Sequence, residues 1–316
     1  MSIAERWQRV VERFRPVAYA GYEVFLMRAF FALAVAGSLP NNLPYAGQKE
    51  PVGLAHFWNL TFLGDPAVLE PVRVVFWICL GLYALGFASA FALPVAATIF
   101  CAIGALIGSQ GAHKHHLQIV GLVLVVLAIY HVYLAVRYRR IFRNTLENHR
   151  LAIYHAQQTV MATYLVTGLY KLANSGLGWV ADAKYFPLQL AKTRGMEYYN
   201  RLEEPGAEAG SGAQELLANL SPDIERFFID FPNWARFFLG SGLLLELGAF
   251  CLMLGRWWGV GYGCLIVLFH LTVSRVMHLT FEYNILLVAI LFINVPWLVA
   301  RAAKKIGRRG KAPSAS

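Results

Sequence analysis

His116-Leu-Gln-Ile-Val-Gly-Leu-Val-Leu-Val-Val-Leu-Ala-Ile-Tyr-His-Val-Tyr-Leu-Ala-Val136 contains no Asp, Glu, Lys or Arg. A helix of that length rises about 31 Å, enough to cross the hydrocarbon core of a bilayer. Hydrocarbon offers backbone amides no water, so a stretch immersed in it must bond its own amides, as a helix does. This stretch therefore reads as a transmembrane helix. Comparable apolar segments lie at 18–39, 72–91, 151–172, 237–254, 257–278 and 283–300, with a shorter one at 94–108 expected to bend or re-enter. The expected fold is all-α, a polytopic integral membrane bundle of about eight transmembrane helices.

Composition agrees. The 316 residues are 58% hydrophobic and 15% charged, with a mean hydropathy of +0.49. Soluble domains carry roughly 25% charged residues. A net charge of +10 would suggest nucleic acid in a soluble chain. Here the basic residues sit between apolar segments, so membrane orientation explains them and no nucleic-acid partner is expected. They gather at Arg6, Arg9, Arg13 and Arg15, at Arg137, Arg139, Arg140, Arg143 and Arg150, at Arg256, and from Arg301 to Lys311. An even number of spans puts every cluster on one side, with both termini cytoplasmic. The expected location is a bacterial inner membrane, with lipids as partners.

Residues 1–16 read as a basic amphipathic segment on the membrane surface, without the cleavage site of a signal peptide. Residues 17–301 form the membrane domain, and 302–316 a basic cytoplasmic tail. The connection 173–236 faces outward and holds the acidic stretch Glu203–Gly212 between two amphipathic pieces, Tyr185–Ala191 and Ile224–Trp234. Cys79, Cys101, Cys251 and Cys264 lie in apolar segments without Cys-x-x-Cys spacing, so neither a disulfide nor a zinc site is expected. No phosphate-binding loop, dinucleotide fingerprint or Ser-His-Asp order can be placed on the chain.

Ionisable groups at membrane depth are the functional candidates. Lys171 ends the stretch Thr163-Tyr-Leu-Val-Thr-Gly-Leu-Tyr-Lys171, with Trp179 shortly after. It is either a desolvated amine fit for proton abstraction or a lysine reaching for headgroups. His113, His115 and His116 stand at the mouth of one span, and His278 and Glu282 at the end of another. Neighbouring histidines on one helix do not converge and no Asp or Cys completes a set, so no metal is expected. Glu246 is read either as a pocket residue or as half of an interhelical ion pair with Arg28 or Arg275. His270 is either a pocket residue or a hydrogen-bonded core histidine. His131 and His155 are expected to bond backbone or headgroups. Together these groups suggest an outward-opening pocket. Glu23, Arg28, Glu246 and Arg275 would be the pathway residues if the chain were a small transporter.

Three stretches carry a resemblance: Lys114-His-His116-Leu-Gln-Ile-Val-Gly121, Gly168-Leu-Tyr-Lys171-Leu with Trp179 following, and Leu243-Leu-Leu-Glu246-Leu with Phe269-His270 and Phe281. They resemble the membrane domain of vitamin K-dependent gamma-carboxylase and its bacterial relatives, the horizontally transferred transmembrane domain proteins. The likeness runs from about Met27 to Trp297. It implies reduced vitamin K or menaquinol as cofactor, with CO2 and O2 as co-substrates. Lys171 would be the base that deprotonates the quinol and His116 would support that chemistry, with His113, His115, Trp179, Glu246, His270, Arg275 and His278 around the pocket. The eukaryotic carboxylase has a large lumenal portion associated with its protein substrate. A chain ending at Ser316 is expected to lack it, which makes a protein or peptide glutamate the less expected substrate. A non-catalytic quinone- or lipid-binding or assembly protein of the same fold is the alternative.

Overall fold

The structure, a computed structural model, describes residues 14, 16–40, 43, 52–110, 115–193, 222–277, 279 and 281–309. The side chains of His115, His116 and Pro222 and those from Lys304 onward are not among them. The amphipathic segment 1–13 and the acidic stretch Glu203–Gly212 fall outside this set. The longer helices are α1 (Gly21–Ser38), α2 (Pro66–Leu85), α3 (Ser89–Ser109), α4 (His115–Tyr138), α5 (Leu146–Ser175), α6 (Pro222–Asp230), α7 (Pro232–Leu247), α8 (Arg256–Met277), α9 (Glu282–Val288) and α10 (Val295–Arg309). Among the described residues the fold is all-helical.

Five helices among the described residues, α1, α2, α3, α4 and α8, are long and apolar enough to cross a membrane. The sequence suggested about eight, and the differences have local causes. The segment 151–172 is helical within α5 but carries His155, Gln157 and Gln158. The segment 237–254 is split, because α7 ends at Leu247 and a 3-10 turn, Ala249–Met253, follows. The segment 283–300 is broken after the π-helical turn Ala289–Ile293, where Asn294 takes φ 49° and its amide bonds Ala289 O at 3.0 Å. The helical pieces on either side differ in direction by 45°, and counting them as one bent span brings the total to six.

Two boundaries also move. Asp65 caps α2 through a 2.9 Å bond from the Ala67 amide, and Pro66 takes the first helical position, where its missing N–H costs nothing. Gly86, left-handed at φ 74°, ends that helix, so the span expected at 72–91 starts and stops about six residues earlier. The expected short segment 94–108 is instead an unbroken 21-residue helix. Pro94 lies near its start and forgoes a single amide bond.

The chain divides into two compact units. The first holds 1–161, 252–263 and 282–316. Within it α2 packs against α1 and α3, α3 packs on α4, and α9 touches α1 and α4. Val24, Met27, Phe31 and Val35 make the buried seam of α1, and Val120, Val123, Leu124 and Leu127 that of α4. Both seams have the helical three-and-four spacing.

Two polar clusters interrupt this apolar packing. Glu23, 2% exposed, accepts from Arg256 Nη1 at 2.9 Å, Arg256 Nη2 at 3.2 Å, Asn294 Nδ2 at 2.8 Å and the Ala20 amide at 2.6 Å. The Arg256 guanidinium lies over Trp297 at 4.4 Å and Tyr19 at 5.1 Å. Gln157 extends the cluster by donating to Tyr19 Oη and to Leu291 O in the π-helical turn. In the second cluster Arg28 Nη1 lies 3.0 and 3.1 Å from the two ring nitrogens of His149. A Cβ at Gly86 would stand 2.3 Å from that nitrogen, so the guanidinium occupies the space a side chain would need. His131 faces Asn144 Nδ2 at 3.4 Å and His155 faces Gln158 Oε1 at 3.0 Å. Each histidine thus has a side-chain neighbour.

Glu23→Ala should lower stability by about 3–5 kcal/mol, because it leaves Arg256 without its counter-charge in a dry site. Thermal unfolding in detergent would show this as a lowered Tm. A second expectation concerns His149, which precedes the apolar stretch of α5. Burial, then the positive charge of Arg28, then His131 lower its pKa to about 3. The unfolded chain binds that proton near 6.5 and the folded chain does not until about 3, so stability is lost as pH falls from 6.5 toward 3. The loss should reach up to about 1.4 kcal/mol per pH unit and be reduced in His149→Asn, as read from denaturation curves across that range.

Candidate functional site

The second unit holds 162–251 and 264–281, and Lys171 sits inside it. Its Nζ lies 2.6 Å from Glu246 Oε1 and 2.7 Å from Oε2, one ammonium straddling both oxygens. The side chains are 22% and 13% exposed. Trp179 covers the same ammonium, its ring centroid 4.7 Å away. The cation is thus met by a carboxylate on one side and an aromatic face on another. The expected partners of Glu246, Arg28 or Arg275, give way to Lys171.

Close helix approach makes this pair possible. Gly168 stands one turn before Lys171, and a Cβ there would lie 3.0 Å from Glu246 Cβ and 3.1 Å from Leu247 Cδ2. Small residues let helix backbones approach in just this way. On α7, one turn before Glu246, a Cβ at Gly242 would fall 2.5 Å from the Phe269 ring. The Trp179 segment reaches α7 through Val180, 3.7 Å from where a Gly240 Cβ would be. A small apolar core of Ala183, Phe186, Leu190, Phe228 and Ala235 supports it, with the Phe186 and Phe228 rings edge to face at 4.9 Å.

His270 follows Phe269 on α8 and is 6% exposed. Its Nε2 lies 2.7 Å from Tyr164 Oη, and its ring stacks on Phe281 at 4.7 Å and 28°. Its Nδ1 is buried and has no hydrogen-bond partner among the described residues. The Tyr164 that holds the ring stands two turns before Lys171 on α5, and Phe269 beside it meets α7 at Gly242, one turn before Glu246. Lys171, Glu246, Trp179, Tyr164, His270 and Phe281 therefore form one constellation on α5, α7, α8 and their connections.

The structure thus brings together Lys171, Glu246, Trp179 and His270 of the sequence-derived candidates. Arg275 lies on α8 and is exposed. His113 and His278 fall outside the described residues, and His115 and His116 open α4 with their side chains undescribed. Sequence reasoning missed Tyr164 and gave Phe281 only as part of the resemblance, without a place in the pocket. The available signal was spacing, since Tyr164 precedes Lys171 by seven residues and so shares its helix face. Among the described residues no group of three or more His, Cys, Asp or Glu side chains could hold a metal.

Cavities open within the first unit among the described residues. One of about 10 Å³, lined by Tyr19, Tyr154, Gln157 and Arg256, has room for a single water. Another, about 470 Å³, is an apolar groove between α3 and α4 lined by Phe100, Cys101, Gly104, Gln118, Gly121 and Leu122 among others.

Compared with family models, curated proteins and solved structures, the chain matches none.

A double-mutant cycle on the pair should be strongly non-additive. Lys171→Met alone strands a buried carboxylate and should cost about 3–5 kcal/mol, whereas Lys171→Met with Glu246→Leu should come close to wild type. Unfolding midpoints of the four proteins in one detergent would measure the coupling.

Proposed function

We propose that this integral membrane protein is a quinol-dependent enzyme of the carboxylase-like type, with Lys171 as the base acting on the quinol. The reading joins the sequence resemblance to one structural observation. The only lysine within the α5 apolar stretch is held in a shielded ion pair with Glu246, beside an aromatic-lined imidazole.

A protonated lysine cannot accept a proton, so the pair itself has to supply the free amine. In a site shielded from water, the ionic pair and its neutral form draw closer in energy, because desolvation penalises both charges. Transfer of one proton from Nζ to a Glu246 oxygen leaves a neutral amine and a carboxylic acid. The amine then takes the hydroxyl proton of the quinol and becomes ammonium again. Trp179 shields that ammonium, and water exclusion keeps the deprotonated ring from being quenched. A quinol held there would supply the reducing electrons and, with O2, the strongly basic species that the resemblance implies, which would deprotonate a carbon acid whose carbanion adds CO2. His116 keeps the supporting role the resemblance gives it. The basic loops favour both termini on the cytoplasmic side of a bacterial inner membrane.

One observation favours a second reading, a non-catalytic quinone- or lipid-binding protein. Both Glu246 oxygens are already engaged by Lys171, as in a purely structural cross-link, while the apolar groove of the first unit could seat a hydrocarbon tail. The transporter reading is weakened at Glu23, whose oxygens are filled by Arg256, Asn294 and Ala20.

The test is epoxide formation in membranes supplied with reduced menaquinone or vitamin K, O2 and CO2. Wild type should form epoxide, and Lys171→Ala should be at least about 100-fold slower, the scale of a lost general base. Equal rates in both proteins, or no epoxide from either, would overturn the enzyme reading, while quinone binding without turnover would support the second.

A further inference from the structure

A buried imidazole serving only as packing usually has both nitrogens bonded, because an orphaned polar atom in a dry site costs about 1–3 kcal/mol. His270 departs from that pattern. Tyr164 Oη holds Nε2 at 2.7 Å, while Nδ1 has no partner among the described residues, in a side chain 6% exposed. Flat rings surround it. Phe281 stacks on one face at 4.7 Å, Phe269 lies 6.0 Å away, and Phe238 packs on Phe269 at 5.7 Å.

We propose that His270 Nδ1 is the hydrogen-bonding anchor for a ring oxygen of a quinol or quinone headgroup, with Tyr164 as the positioning residue that sets which proton His270 presents. The inference rests on the quinol reading and deepens it by naming the atom that receives the ligand. A tyrosine hydroxyl both donates and accepts, and neutral imidazole has two tautomers. When Nε2–H donates to Tyr164 Oη, Nδ1 is a bare acceptor and takes the O–H of a quinol. When Tyr164 O–H donates to Nε2, Nδ1 carries the proton and donates to a quinone carbonyl. One side-chain pair thus serves both oxidation states without a net charge, which suits a low-dielectric site. The surrounding phenylalanines favour a planar aromatic headgroup by offset stacking.

The experiment measures binding of a short-chain 1,4-naphthoquinone and its quinol to the full chain in nanodiscs by tryptophan fluorescence quenching. His270→Gln keeps an amide near the Nε2 position and loses Nδ1, so both Kd values should rise about tenfold, the scale of one lost hydrogen bond. His270→Asn keeps a polar atom near the Nδ1 position and should stay within about threefold of wild type. Tyr164→Phe should weaken the quinol more than the quinone. It strands an Nε2–H donor in the tautomer that the quinol needs, and orphaned donors are the less tolerated kind. A merely structural tyrosine would weaken both equally. Unfolding midpoints of each variant separate misfolding from lost contact.

Wild-type binding that His270→Gln leaves unchanged would overturn this anchor while sparing the quinol reading. So would equal losses in His270→Asn and His270→Gln. Failure of wild type to bind either probe would remove both.

Discussion

A carboxylate withdrawn from water must be met by donors or surrender its charge, and Glu23 is met by four of them. Much of the first unit's architecture serves that need. Arg256 opens α8 beside Glu23, and Asn294 interrupts the chain between α9 and α10 so that its side chain can reach the same oxygen. The π-helical turn before Asn294 leaves the Leu291 carbonyl to Gln157, which also holds Tyr19. A single buried charge thus ties a helix break, where Pro296 also stands, to an amide in the middle of α5.

The same constraint operates in the second unit with a different outcome. Lys171 and Glu246 neutralise each other, and Trp179 occupies a remaining approach to the ammonium. This closure depends on Gly168 and Gly242, because a larger residue at either would hold α7 off its neighbours. His270 is bonded on one side only. The Glu23 cluster is closed by its own donors, whereas the open nitrogen of His270 stands among flat aromatic rings, and those rings set it apart as the place proposed to receive a ligand.

Membrane character was legible in the sequence because hydrocarbon imposes a composition on every residue it touches, whatever the residue's neighbours. The stretch His116–Val136 needed no partner to be read. Boundaries were less legible. Pro94 looked like a starting point, but α3 already runs from Ser89, and Asp65-Pro66 starts α2 well before the most apolar residues. The bend at Asn294 had a signal in Pro296, two residues on, but the bond that holds Asn294 in place is to a residue far away in sequence. In the candidate site, Lys171, Glu246, Trp179 and His270 stood out as polar or aromatic groups in apolar surroundings. Tyr164 did not, because tyrosines are common in membrane spans and its role depends on which ring faces it.

The sequence by itself determined the class of solvent, the helical secondary structure and the short set of ionisable groups worth following, since each depends on local composition and spacing. Only the tertiary structure decided partners: Lys171 with Glu246 rather than arginine with Glu246, Arg256 with Glu23, Tyr164 with His270. Pairing requires helices distant in the chain to approach within hydrogen-bonding distance. Glycine notches and helix breaks govern that approach, and no periodicity along a single helix encodes it.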